Sequence, residues 1–202
     1  MCFNAEVSIT TYIISLVFSV YILTRKGATA SEKTIAVFCI CFCQMQLLEF
    51  FLWINQECNL YNHITTILVE FFLILQPISI ILAGIMYKSF KISQKFLRCA
   101  LVLYALPLVM NVYFITHTTS VKCSIADVSG HLNWDIIKIP AYHVIYTIGI
   151  MLPWIFLKQQ NLSLLMCVFV WGTYLFSRLN FKEWESMWCF IATIIPMIIV
   201  IK

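Results

Sequence analysis

Charged residues are scarce in this chain. Asp, Glu, Lys and Arg make up 11% of its 202 residues, whereas a soluble domain carries about 25%. A water-soluble fold could not cover so large an excess of apolar side chains. No long polar stretch interrupts the sequence either, so we expect no soluble domain within it. These shortages exclude the ordinary classes of soluble enzyme and soluble binding module.

Clustered basic residues and paired cysteines are also lacking. The net charge is only +4, and the Lys and Arg residues lie in short separate segments, which indicates membrane topology rather than nucleic-acid binding. The nine cysteines contain no Cys-x-x-Cys pair, so they form neither a metal finger nor a disulfide framework. Cys2, Cys58 and Cys123 lie outside the apolar runs, and the sequence leaves open whether they form a disulfide.

Apolar residues are abundant and occur in long runs. They account for 62% of the chain, and the mean hydropathy is +0.92. Because a membrane-spanning helix needs about 20 mostly apolar residues, the runs predict one all-α domain over residues 1–202, a polytopic transmembrane bundle of seven spans. The predicted spans are 8–24, 34–55, 64–87, 97–116, 140–157, 162–177 and 184–201.

The sixth span is the shortest of the seven. Residues 162–177 would reach only about 24 Å at 1.5 Å per residue, whereas the hydrocarbon core is about 30 Å thick. Six spans with a re-entrant segment are therefore the alternative arrangement.

The distribution of Lys and Arg predicts the orientation. Segments on one side hold nine basic residues and those on the other hold four. Because basic residues accumulate on the inner side, we expect the N-terminus outside and the C-terminus inside an integral membrane whose identity the sequence does not give. The nine are Arg25, Lys26, Lys33, Lys88, Lys91, Lys95, Arg98, Lys158 and Lys202, and the four are Lys122, Lys138, Arg178 and Lys182.

Strongly polar residues inside the spans are few and occur at similar depth. A charged side chain at the membrane centre costs about 2.5–3.5 kcal/mol on insertion scales, so such residues usually face the bundle interior. With the N-terminus outside, most of them fall in the outer half, while Gln44 and Gln76 lie nearer the middle. The outer group predicts a polar cavity open to that side. Its members are Gln46, Glu49, Glu70, Asn111, His143, Arg178 and Glu185.

Helical spacing groups several residues of the second span. Cys39, Cys43, Gln46, Glu49 and Trp53 step by three or four positions, so they share one helix face. Gln44 lies on a different face.

Each polar residue also has an ordinary structural interpretation. Glu49 and Glu70 could be protonated and could form hydrogen bonds with a neighbouring helix. Glu185 could be an interfacial carboxylate, and His143 an interfacial histidine. Arg178 could extend to the membrane surface or pair with Glu185.

The longest loop, residues 117–139, has two interpretations. The stretch "HLNWDIIKI" predicts either a short helix lying in the membrane interface or an ordinary loop with an anchoring Trp. Four Trp residues near the predicted outer face are consistent with an aromatic belt. They are Trp53, Trp134, Trp184 and Trp188.

Three short blocks carry a family resemblance. The stretches "MCFNAEVSITTYIISL", "MQLLEFFLW" and "ESMWCFIA" resemble a family of small multi-pass membrane proteins from bacteria and large DNA viruses. Its members begin Met-Cys-Phe-Ser-Ala-Glu and carry Gln-x-x-Glu-x-x-x-Trp in the second span, and no activity is assigned to them. Asn4 stands where the family has Ser, and the middle of the chain is unmatched. The resemblance implies that the recurring positions are Cys2, Glu6, Gln46, Glu49, Trp53, Trp188 and Cys189.

Three functions are compatible with these residues. The first is a transporter or channel whose intramembrane carboxylates and histidine handle protons or cations, with membrane lipid and a small ion or molecule as partners and no nucleic acid. The second is an intramembrane metal-dependent hydrolase acting on lipid. Its metal ion would be held by ligands drawn from His143, Glu49, Glu70, Glu185, Cys189 and Cys2. The third is a structural or assembly protein of a membrane.

Overall fold

The apolar runs form helices joined by short connections. The computed structural model describes residues 4–117, 121–126, 131–135, 140–180, 188–191 and 193–201. Its helices are α1 (Ala5–Thr24), α2 (Ala30–Trp53), α3 (Leu60–Tyr87), α4 (Gln94–His117), α5 (Pro140–Met151), a 3₁₀ helix (Leu152–Phe156), α6 (Gln160–Asn180) and α7 (Ile195–Ile201). Residues 188–191 are also helical. Two short strands, β1 (Ile125–Ala126) and β2 (Leu132–Asn133), form the sheet that the described chain contains. The all-α prediction is confirmed.

Four of these helices are long and apolar enough to cross a membrane. They are α1, α2, α3 and α6, with 20, 24, 28 and 21 residues respectively, and this property indicates a membrane protein. The predicted sixth span was too short: α6 begins two residues earlier and ends three residues later than 162–177. Its length of about 31 Å therefore matches the hydrocarbon core.

Helices α2 and α3 lie at the centre of the bundle. Their most apolar windows are 67% buried, against 22% for α1 and 28% for α6. Helix α1 packs on α2 through a stripe of small residues, Ser8, Ser15 and Ser19, all of them buried. Small side chains let two membrane helices approach closely. The other faces of the peripheral helices are apolar and exposed, as at Val17 on α1, Leu103 on α4 and Leu164 on α6.

The fifth and seventh predicted spans are interrupted. The fifth becomes the 12 residues of α5 followed by the 3₁₀ helix, whose second residue is Pro153. Proline lacks the N–H that an α-helical bond requires, which favours the change of helix type at this position, although α3 continues through Pro77. In the seventh, a turn at Thr193 and Ile194 precedes α7, in which Pro196 occupies the first turn, where its missing N–H does no harm.

Polar caps close the end of the bundle that lies away from the disulfide described below. We call it the opposite end, and it contains the connections at residues 25–29, 88–93 and 157–159. Thr29 and Glu32 form a capping box at the start of α2, and Arg25 Nη2 pairs with Glu32 Oε1 at 2.7 Å. Two backbone bonds, from Lys91 N–H to Phe156 O and from Lys158 N–H to Ser89 O, both 2.8 Å, join two of the connections.

The other end contains a disulfide. Cys58, in the α2–α3 connection, is bonded to Cys123, which precedes β1, and we call this the disulfide end. Strand β1 pairs antiparallel with β2, with Ile125 opposite Asn133 and Ala126 opposite Leu132. The prediction of an interfacial helix for "HLNWDIIKI" is therefore wrong for residues 131–135, the part of this stretch that the structure describes. Leu132 and Trp134 are 1% and 4% exposed, so this segment packs on the bundle, and Trp134 is not a belt residue.

Candidate functional site

The polar face of α2 points into the bundle. Cys39, Cys43, Gln46 and Glu49 are 2%, 0%, 1% and 0% exposed, and Trp53 is half-buried. Glu49 lies four residues before the last residue of α2, about 6 Å from the disulfide end of the helix. The carboxyl group is therefore inside the protein and away from lipid.

A chain of polar groups links α1 to Glu49. Gln46 Nε2 donates to Glu49 Oε2 at 2.7 Å, and Thr11 Oγ1, on α1, lies 3.0 Å from Gln46 Oε1. The Thr11 hydroxyl also reaches the backbone oxygens of Val7, at 2.8 Å, and Ser8, at 3.0 Å. Its single proton can therefore be given either to the helix backbone or to Gln46. Sequence reasoning did not find Thr11, since hydroxyls that bond their own helix are common in membrane segments.

The second buried carboxylate, Glu70, is paired with a lysine from a loop. Lys122 Nζ lies 2.6 Å from Glu70 Oε1, and the side chains of Lys122 and Glu70 are 18% and 3% exposed. Lys122 was expected only as an outer loop residue. Lysine has a long side chain that can bury its stem while the charge meets a partner, and the helical pattern of α3 contains no signal for such a partner.

Residues of α3 fix the loop segment 121–126 inside the disulfide end. Asn62 Nδ2 donates to Ser124 O at 2.9 Å, and Ser124 N–H donates to Asn62 Oδ1 at 2.9 Å. Thr66 Oγ1 lies 3.0 Å from Ser124 Oγ. All three residues are 0% exposed. Because buried backbone groups need partners, these bonds let a non-helical segment enter the bundle.

Further bonds set the position of Lys122 itself. Its backbone N–H donates to His63 Nδ1 at 3.0 Å. The next residue, Cys123, carries the disulfide to Cys58, and its N–H donates to Asp135 Oδ2 at 3.3 Å. The lysine is thus held through its own backbone and through the next residue, and its ammonium group lies 2.6 Å from Glu70 Oε1.

Residues of α3, α5 and α6 carry further polar and aromatic contacts. Tyr146 Oη donates to Gln76 Oε1 at 2.5 Å, and Arg178 Nη1 donates to Tyr174 Oη at 2.8 Å. The ring of Trp188 packs edge-on against Tyr174, with the centroids 5.6 Å apart. Trp188 is 2% exposed, so it is an interior residue and its predicted place in an aromatic belt was wrong.

The remaining predicted site residues lie in different parts of the chain. Glu6 is exposed in the first turn of α1, and Cys189 is buried. Asn111 lies on α4 and His143 on α5. Cys2 and Glu185 lie outside the described residues.

The structure describes only some of the residues from which the metal site was predicted. Within the described ranges, no three His, Cys, Asp or Glu side chains lie together in a way that could hold a metal ion. Since Cys2 and Glu185 lie outside those ranges, the metal site stays a prediction.

The bundle therefore contains two buried carboxyl groups with different described partners. Glu49 bonds an uncharged amide that is itself adjacent to a hydroxyl, and Glu70 bonds an ammonium group. A rotatable amide and hydroxyl can follow a change in protonation, and an ion pair can exchange one cation for another.

Comparisons of this chain with protein families, with curated proteins and with solved structures found no match. The family resemblance of the three sequence blocks stays a prediction.

Proposed function

We propose that this chain is a multi-pass membrane transporter or channel in which Glu49 takes up and releases a proton or a small cation. The observation that carries the proposal is the position of Glu49: a carboxyl group 0% exposed in the interior of a helix apolar enough to cross a membrane. Ionisable groups at such positions are expensive to insert and commonly belong to ion or proton paths.

The neighbours of Glu49 suit either state of its carboxyl group. The Gln46 amide can donate through Nε2 to a carboxylate or, after rotating, accept through Oε1 from a protonated carboxyl. The Thr11 hydroxyl can donate or accept in the same way. Both groups can therefore follow a change of protonation at Glu49, which favours reversible exchange.

The proposal includes seven spans with the N-terminus outside. Disulfides persist in oxidising compartments, so the Cys58–Cys123 bond favours an outer location for the disulfide end. The excess of basic residues at the opposite end supports the same orientation. Thr11 near the start of α1 lies beside Gln46 near the end of α2, so α1 also begins at the disulfide end. Membrane lipid and a small ion are the partners that this arrangement implies.

Reconstitution into liposomes tests the proposal. Wild-type protein is expected to carry protons, sodium or potassium down an imposed gradient. Glu49→Gln is expected to lower that flux at least about tenfold, because the amide is nearly isosteric but does not ionise. Glu57→Gln is the matched control, since Glu57 is an exposed acid in the α2–α3 connection.

Folding must be compared in the same samples. Equal melting temperatures of wild-type and Glu49→Gln protein in detergent would show that the lost flux is not lost structure. Wild-type flux equal to that of empty liposomes for all three ions would contradict the proposal and favour a structural role.

A further inference from the structure

We propose that a groove between α3, α4 and α5 binds an anionic phospholipid, with an acyl chain in the groove and the phosphate beside Lys91 and Lys158. The groove has a volume of about 210 Å³ and begins at the opposite end of the bundle, at the connection 88–93. We call it the lipid groove. The site is separate from Glu49 and does not depend on ion transport.

The floor of the lipid groove is apolar and closely packed. Ile81 of α3, Phe90 of the connection 88–93 and Leu97 of α4 line it and are 3%, 2% and 3% exposed. Tyr104 lines its inner end, where the hydroxyl donates to Ile145 O, on α5, at 3.2 Å. Because packing and this bond hold the floor in place, the cavity exists before a ligand enters it, as is usual for binding pockets.

The second wall depends on a close approach of α5 to α4. A Cβ at Gly149 would lie 2.6 Å from Tyr104 Cε1, so only a residue without a side chain lets the tyrosine ring lie against α5 here. The 3₁₀ helix then continues the wall with Leu152 and Phe156. The wall therefore follows the backbone path of α5 and of the 3₁₀ helix.

The open side of the lipid groove is apolar as well. Phe96, Leu103 and Ile148 line it and are 61%, 66% and 49% exposed. An exposed apolar groove of this kind marks a binding or membrane-contact surface, and in a bundle whose long helices suit a membrane the adjacent apolar molecules are lipid chains. Phe96 and Tyr104 are eight positions apart on α4, about 12 Å, a length that suits part of an extended acyl chain.

The segments that build the groove carry positive charge and no negative charge. Residues 71–126 and 136–182 contain no Asp or Glu, and these two stretches supply the residues that line the groove. Basic pockets beside membrane helices attract anionic headgroups. The stretches place five basic residues at the opposite end, namely Lys88, Lys91, Lys95, Arg98 and Lys158.

Two of these lysines are held beside the mouth of the groove. Lys91 follows Phe90, which lines the groove, and Lys158 follows the 3₁₀ helix by two positions. The Lys91 N–H donates to Phe156 O and the Lys158 N–H donates to Ser89 O, both at 2.8 Å, so the two connections are joined. Both lysines are exposed. Their flexible stems let the two ammonium groups meet one phosphate at the membrane surface while an acyl chain enters the groove.

Native mass spectrometry of the full chain in a mild detergent measures this binding. Phosphatidylglycerol and phosphatidylcholine with the same acyl chains are titrated separately. Each basic side chain near an anionic lipid strengthens binding about fivefold. Wild-type protein is therefore expected to bind phosphatidylglycerol at least about tenfold more tightly, and Lys91→Gln/Lys158→Gln to lose at least about tenfold of that affinity, with phosphatidylcholine binding little changed.

The matched control removes the same charge from the same end of the bundle. Lys26→Gln/Lys33→Gln changes two lysines that do not line the groove in the described chain. It is expected to keep the wild-type preference for phosphatidylglycerol.

A further variant tests the acyl chain. Ala100 lines the groove, so Ala100→Phe is expected to fill it and to weaken binding of both phospholipids. Glycerol 3-phosphate makes the same test on wild-type protein, in case that variant does not fold. It carries the phosphate without acyl chains, so it is expected not to displace phosphatidylglycerol at equal concentration.

Three results would overturn the lipid site. The first is equal affinity of wild-type protein for the two phospholipids, and the second is an equal loss of phosphatidylglycerol binding in the two lysine double variants. The third is wild-type affinity in folded Ala100→Phe, or displacement of the lipid by glycerol 3-phosphate. Flux that depends on Glu49 would be unaffected by any of them, so the two proposals fail separately.

Discussion

At the scale of single residues, the bundle interior accepts a small set of polar side chains. The helical period was enough to place Glu49 and Gln46 on a shared buried face, because a regular helix repeats its faces predictably. Lys122 and Thr11 could not be found in this way. Lys122 is brought to Glu70 by a loop, and Thr11 by the packing of α1 on α2, so both contacts depend on tertiary structure.

A glycine in α3 offers a residue-scale test of packing. A Cβ at Gly84 would lie 2.1 Å from Phe90 Cε2, and Phe90 is 2% exposed, so its ring has little room to move. We expect Gly84→Ala to lower the free energy of unfolding by about 1–3 kcal/mol, the usual cost of overpacking. Thermal unfolding in detergent measures it. Gly172→Ala is the matched control, because nothing lies within 4 Å of its added Cβ, and an equal loss of stability in both variants would contradict the packing.

At the scale of elements, the small residues of α1 explain how two membrane helices bury a polar face between them. Ser15 faces Cys43 of α2, and Ser15 and Ser19 are 1% and 0% exposed. The ends of elements were harder to predict. The mean hydropathy of a segment identifies a span but does not show a break within it, so the fifth and seventh segments were expected as single helices.

The α1–α2 contact predicts that a larger side chain lowers the stability of the protein on the packed face of α1 and not on its exposed face. Ser15→Leu is expected to destabilise the protein by about 1–3 kcal/mol, because the added atoms separate two closely packed helices. For a chain of this length that corresponds to a fall in Tm of about 2–4 °C per kcal/mol. Val17→Leu, on the exposed face of the same helix with Val17 59% exposed, should leave Tm unchanged. A smaller effect for Ser15→Leu than for Val17→Leu would show that α1 packs through another face.

At the scale of the whole molecule, composition alone predicted an all-α apolar bundle. The long apolar runs need a lipid bilayer as their solvent, and apolar helices satisfy their own backbone groups there. The described structure agrees with four helices long enough to span a membrane. The closing of the disulfide end could not be predicted, since Cys58 and Cys123 are 65 residues apart and only the fold brings them together.

The proposed orientation has its own test. In intact cells of a Cys2→Ser/Cys99→Ser background, a membrane-impermeant maleimide is expected to label Glu57→Cys, at the disulfide end, and to leave Lys91→Cys, at the opposite end, unlabelled until the membrane is permeabilised. Both positions are exposed, so burial does not account for the difference. Labelling of Lys91→Cys alone would reverse the orientation.

The most direct measurement of the central claim is the ion flux of wild-type and Glu49→Gln protein in liposomes of the same composition and protein content. The account predicts that wild-type flux saturates with ion concentration. It also predicts that Glu49→Gln lowers the flux at least about tenfold, equivalent to about 1.4 kcal/mol in the barrier, while Glu57→Gln changes it little. Flux through Glu49→Gln equal to that of the wild type would contradict the account.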